Sequence, residues 1–246
     1  MTAAPRSLLV RRSAMVSIAF ALVMILLPTL PLEAQQKPTE PSTGAKASTE
    51  PVYKPPMRGA PGGRVGGGTR GTGREAFVLS VVAPAHTGLT TSEQPELFWF
   101  ISNASSYPVE FTVVDPQKTD PLLELRIEPP VAAGFHKVRL ADHGVRLAPG
   151  VSYQWYVAVV PDSGRRSKDI LAGGSIERVS PPDGLKAKIA QAPKNDVPSL
   201  YAEAGLWYDA VAALGELIDR TPTDRTLLDQ RSALMRQVGL PETKTE

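Results

Sequence analysis

The sequence predicts a mainly β chain that turns α towards its C-terminal end, and three observations carry that reading. Seven short apolar or alternating runs fall between residues 77 and 180, parted by Pro, Gly and Asp. From residue 181 the apolar residues adopt the three-and-four spacing of helices. Between the first apolar stretch and residue 77, bulky apolar residues nearly vanish while Pro and Gly accumulate. Short strands at this density, each closed by a turn signal, point to an antiparallel β-sandwich of immunoglobulin or fibronectin type III kind. The helical stretch behind it points to a tetratricopeptide-like helical hairpin.

Taken in order, residues 1–34 read as a secretory signal. Arg6, Arg11 and Arg12 supply the positive end, residues 14–27 are apolar and uncharged, and Leu32-Glu33-Ala34 before Gln35 fits a cleavage site. The apolar run stops at Pro28, short of the ~20 residues that span a bilayer. Cleavage and export to the periplasm or cell envelope are therefore expected, with membrane contact only through this segment if it is uncleaved. Residues 35–57 lack the apolar mass that would offset the entropy of ordering, and are expected to form a flexible Pro/Ser/Thr-rich spacer.

Residues 58–76 form a Gly/Arg-rich arm. Its glycines let a backbone lie flat against a neighbouring body, and Arg64, Arg70 and Arg74 are candidates for pairing with acidic groups there or for contacting a partner. A phosphate loop fits poorly: no Lys precedes Thr69, no strand comes before it, and a strand rather than a helix follows. With the signal removed the chain carries 24 basic and 24 acidic residues; residues 35–76 are net +4 and residues 77–246 net −4. A basic arm thus faces an acidic body. The neutral total, on an exported chain, lacks the electrostatic footprint of a nucleic-acid binder. The absence of Cys excludes disulfides and thiolate metal sites.

The strand candidates are residues 77–82, 97–101, 109–114, 122–127, 135–140, 153–160 and 171–179, making a sandwich over 77–180. The stretch Pro95-Glu96-Leu97-Phe98-Trp99-Phe100 carries two of the six Phe and one of the three Trp, and reads as a strand buried on both faces. Trp99 and Trp155, on different strands, are expected to meet in the core between the sheets. In the helical region, 181–240, the helices are placed at 183–191, 196–205 with Asp196 as N-cap, 207–220 and 223–238. A disordered tail over 241–246 closes the chain. Tyr201, Gly205, Ala210 and Pro222 have the spacing of one tetratricopeptide unit, and a single unit must bury its face on something else.

Chemistry-bearing patterns are sparse. His86, His136 and His143 have no convergent third ligand, so no metal site is expected, and no cofactor motif is present. Gly173-Gly174-Ser175-Ile176-Glu177 breaks the nucleophile-elbow pattern. Glu93, Glu96, Asp115 and Asp120 flank turns and strands, where solvated carboxylates are the rule rather than a hydrolytic pair. Trp207-Tyr208 opens a helix, either as a wedge that holds the hairpin on the sandwich or as a stacking platform for a partner.

With these residues in view, the chain resembles the DUF928 family of exported bacterial proteins of unknown function, mostly cyanobacterial. The resemblance rests on residues 64–71 (RVGGGTRG), Pro84, Thr90-Thr91-Ser92, the stretch 95–100, Glu110-Phe111, Gly150 to Tyr153 with Trp155, and residues 201–210 (YAEAGLWYDA). It covers residues 55–218. Many members carry a Cys just after the Gly-rich arm and another near the place of Pro161-Asp162; this chain has neither, so packing must replace any covalent tie between arm and sandwich. The resemblance implies no catalytic residues. It associates the family with membrane sensors bearing extracytoplasmic CHASE2 domains.

The expected function is therefore a non-enzymatic envelope module that binds a protein partner such as a membrane sensor, through Arg64, Arg70 and Arg74, with Trp207 and Tyr208 as secondary contacts. A carbohydrate- or peptidoglycan-binding module is the alternative and requires an exposed aromatic platform on the sandwich. A hydrolase ranks third, because it needs an acidic or His-containing pocket that no motif marks.

Overall fold

The computed structural model describes residues 50–56, 64–65 and 77–240. The signal segment, residues 35–49 of the spacer, most of the arm including Arg70 and Arg74, and the tail lie outside the described residues. Eight strands are present: β1 (Leu79–Val81), β2 (Gly88–Thr90), β3 (Glu96–Ile101), β4 (Val109–Val114), β5 (Leu123–Ile127), β6 (Gly134–Arg139), β7 (Ser152–Val159) and β8 (Ile170–Arg178). They form two sheets, ordered β1-β3-β6 and β2-β8-β7-β4-β5. Every predicted strand is there within two residues of its expected ends. The addition is β2, whose three residues are too few to show an alternation.

Alternation decides which side chains each strand buries. On β3, Leu97, Trp99 and Ile101 have no exposed surface, whereas Phe98 and Phe100 are only half-buried. The stretch expected to be covered equally on both faces is therefore a two-faced strand. On the other sheet β4 turns in Val109, Phe111 and Val113, and β7 turns in Tyr153, Trp155 and Val157. These side chains and those of β1 and β3 belong to one hydrophobic cluster, with Trp99 from one sheet and Trp155 from the other, both wholly buried. The free edge of the larger sheet is β5, whose outward Glu124 and Arg126 are exposed and discourage edge pairing.

One pairing departs from the expected antiparallel pattern. β2 runs parallel to β8, with Gly88 opposite Ile176 and Thr90 opposite Arg178. The chain leaves β1 in the smaller sheet and crosses to the edge of the larger one, so it arrives running alongside β8 rather than turning back on it.

Four helices follow: α1 (Leu185–Gln191), α2 (Val197–Glu203), α3 (Trp207–Arg220) and α4 (Arg225–Gln237). The stripe Val211, Leu214 and Leu217 of α3 is buried, as its spacing requires. Asp196 does not cap α2: its side chain makes no capping bond. The physical reason is local: Asp196 ends a 3-10 turn with helical backbone (φ −91°, ψ −14°) rather than the extended backbone of a cap, and Pro198 removes one of the amides it could accept from. The cap that does form is Asp224, which accepts from Thr226 N at 2.9 Å and starts α4.

The last residues of the expected flexible spacer are ordered against the helices. Tyr53 is buried and its backbone N–H donates to Gln237 Oε1 at 2.7 Å, while Gln237 Nε2 donates back to Pro51 O at 2.8 Å. Lys54 N donates to Ala202 O at 3.1 Å. A single aromatic side chain and satisfied backbone groups hold this piece, where average composition predicted freedom.

Candidate functional site

The N-terminal turn of α3 joins the helical layer to the strands. Trp207 and Tyr208 are buried, and each spends its polar atom inside. Trp207 Nε1 donates to Val82 O at 3.0 Å. Trp155 Nε1 donates to the Tyr208 hydroxyl at 2.9 Å, and that hydroxyl donates onward to Ser175 O at 2.9 Å. Tyr208 also fills the space above Gly88, where an added Cβ would lie 2.6 Å from its ring. Asp209 accepts from Thr91 N at 2.9 Å and from Thr91 Oγ1 at 2.8 Å. Burial pushes its carboxyl up from the ordinary value, and the two Thr91 bonds pull it back. The aromatic pair therefore occupies the wedge position and presents no face to a partner in this conformation.

Around Trp207 the N-terminal piece closes the same junction. Tyr53 packs edge-on against Trp207, with ring centres 5.0 Å apart. Its hydroxyl lies 2.8 Å from His86 Nε2, in hydrogen-bond contact. Burial lowers the pKa of His86, which favours the neutral ring. Neither Tyr53 nor His86 was singled out by its sequence pattern as a site; the available signal was that Tyr53 is the lone aromatic residue between 35 and 57.

Arg64 is the described part of the Arg triplet, and it serves the fold. Its Nη1 and Nη2 donate to Val238 O and Gly239 O, both at 3.1 Å, just past the end of α4. A guanidinium on the unpaired carbonyls of a helix C-terminus is favourable both as hydrogen bonding and against the helix dipole. The next residue, Val65, exchanges backbone bonds with Gly173 on β8, at 3.0 and 3.3 Å. At these two residues the chain lies against the body, and Arg64 binds carbonyls rather than carboxylates. Arg70 and Arg74 lie outside the described residues.

The outer face of β3 and β6 meets α3 and α4 around an apolar cleft of about 120 Å³. Phe98 and Phe135 form the sheet wall; Val211, Leu214 and Ile218 form part of the helix wall. Gly215 lets Phe98 approach, since a Cβ there would lie 2.9 Å from the ring. The rim is charged. Arg231 lies over the Phe135 ring at 3.8 Å, and Lys137 pairs with Asp219. Arg139 Nε sits 2.6 Å from Glu96 Oε1. His136 stacks on Trp99 with ring centres 4.2 Å apart, and its Nε2 contacts Ala132 O at 2.8 Å. Among the described residues no three His, Asp or Glu side chains are grouped to hold a metal ion, and no helix is long and apolar enough to cross a membrane.

A second, shallow cleft of about 420 Å³ opens on the far face of the five-stranded sheet, lined by Glu110, Thr112, Tyr156, Arg166, Asp169 and Leu171 among others. Arg166 grips Glu110 with two bonds, Nη2 to Oε2 at 2.5 Å and Nη1 to Oε1 at 3.2 Å. That bidentate contact holds the Glu110 carboxyl below its usual range.

Comparison with known proteins gives two findings. The family model of a domain of unknown function, DUF928, matches residues 65–246. No curated protein matches the chain.

Proposed function

The chain belongs to the DUF928 family, and from that premise we propose that it is an exported, non-enzymatic envelope protein that docks a protein partner such as a membrane sensor. The observation that supports this reading is the cleft between the small sheet and the α3–α4 pair. It combines two aromatic side chains, an Arg stacked on one of them, and a charged rim. Aromatic and Arg groups around an apolar centre, with polar groups outside, are the composition of interface hot spots. The finer fold reading has support of its own. The orders β1-β3-β6 and β8-β7-β4-β5, with β2 as an added strand beside β8, support the immunoglobulin or fibronectin type III reading. In the tetratricopeptide-like reading, the helical unit buries its face on the sheet instead of on a second repeat.

A photo-crosslinking amino acid placed at Asp219, on the rim, tests the proposal in the intact envelope against the same probe at Glu128, beyond β5. Capture of one membrane protein from position 219 and not from 128 is the expected result. Equal capture from both positions, or none from 219, would sink it.

A carbohydrate- or peptidoglycan-binding module is the second reading, favoured by the cleft beside Tyr156, where an aromatic ring and Leu171 lie next to charged side chains.

A further inference from the structure

We infer that the cleft on the outer face of the five-stranded sheet is a saccharide site that takes a neutral pyranose unit of a glycan chain. This inference develops the second reading and is independent of partner docking at the helix cleft, so either can fail alone.

The argument begins with Tyr156 and Gly173, which are cross-strand partners on β7 and β8. Gly173 gives both its N–H and its carbonyl to Val65. The missing side chain leaves room for the Tyr156 ring to lean across it; a Cβ there would lie 2.5 Å from Cδ1 and 2.7 Å from Cε1. The ring is thus held on the sheet surface, lining the cleft, with its hydroxyl bonded to Gln154. Leu171, an exposed large apolar residue, continues the apolar floor.

The polar groups around this floor are already oriented. Arg166 holds Glu110 by its two bonds and reaches Asp169 Oδ2 through Nε at 3.0 Å. Arg126 approaches Glu110 from the other side at 3.5 Å. Arg126 and Arg166 are outnumbered by Glu110, Asp169, Glu124 in the neighbouring hollow and Glu128 on Arg126, so the site has no cationic excess to select an acidic sugar. What remains is planar acceptors and donors beside an aromatic ring. Sugar rings use that combination, setting C–H groups on the ring and hydroxyls on paired polar groups. A neighbouring hollow of about 390 Å³ shares Glu110, Thr112 and Arg166 and extends the site along the sheet, which suits a chain better than a single unit.

The test uses the full chain and two neutral probes, chitotetraose and cellotetraose, by calorimetry and by amide chemical-shift mapping. Saturable binding of at least one probe is expected, with shifts centred on Thr112, Tyr156 and Leu171. Tyr156→Ala should weaken it at least about ten-fold, while Tyr156→Phe, which keeps the ring, should stay within about three-fold of wild type. Shift mapping on the wild type does not depend on any variant folding. Failure of both probes to bind, shifts centred elsewhere, or undiminished binding by a folded Tyr156→Ala would each overturn the assignment.

Discussion

Tyr208→Phe isolates what holds α3 against the strands. The substitution removes one oxygen and leaves the ring, so packing above Gly88 is kept. It takes away the acceptor of Trp155 Nε1, on a side chain with no exposed surface, and the donor to Ser175 O. A buried donor left unsatisfied costs about 1–3 kcal/mol, and an ordinary hydrogen bond about 0.5–1.5 kcal/mol. The expected loss is therefore about 3 kcal/mol. For a domain of this size that corresponds to roughly 6–12 °C in Tm. Urea unfolding with linear extrapolation is the assay, and an unchanged m-value shows that the same surface unfolds. Tyr153→Phe is the comparator. Its hydroxyl accepts only a half-buried loop amide, Ala148 N at 3.0 Å, which water can serve instead; the expected cost is about 1 kcal/mol. If Tyr208→Phe costs less than about 0.5 kcal/mol, the range of an indifferent surface change, the polar chain from Trp155 to Ser175 is not what fixes the helix, and the reasoning is refuted.

Three further outcomes follow from the same geometry. Gly88→Ala drives a methyl to 2.6 Å from a Tyr208 ring pinned by its hydroxyl, so a loss of about 1–3 kcal/mol is expected by denaturation, and a neutral result would show that the ring is free to move. Arg64→Ala should cost about 1 kcal/mol and speed hydrogen exchange of the last amides of α4, with the strand amides unaffected; uniform acceleration would contradict a local cap. His86 gives a pH dependence whose sign is fixed. Its folded pKa is depressed, so its contribution is complete above the ordinary value near 6.5 and is lost as pH falls from there through the folded pKa. Thermal melts between pH 8 and 5 should show a steeper fall for wild type than for His86→Gln, and parallel profiles would discount the Tyr53–His86 contact.

How much of this was legible in the chain varies by element. The strand at 109–114 and the helix at 207–220 coincide with their expected bounds. Each has a strong periodicity and a clear stop, which are local properties. The family, too, could be recognised, because its motifs are contiguous residues. The site was much less legible. Phe98, Phe135 and Arg231 come from β3, β6 and α4, and no spacing rule relates positions so far apart in the chain. Tyr156 looked like one more residue of a long strand until Gly173 was placed opposite it. Composition misled over Tyr53, because an average over a Pro-rich stretch hides one aromatic side chain that has somewhere to go.

By itself the sequence determined the order of seven of the eight strands and of the helices that follow, and the family to which the chain belongs, since these depend on neighbours along the backbone. Only the tertiary structure decided that β2 runs parallel to β8, that Arg64 closes the end of α4, and that Trp207 and Tyr208 face inward to Val82 O and Ser175 O. Those outcomes turn on where a carbonyl or an open strand edge lies in space once distant segments meet, and a polar atom's partner is chosen by that proximity rather than by its place in the chain.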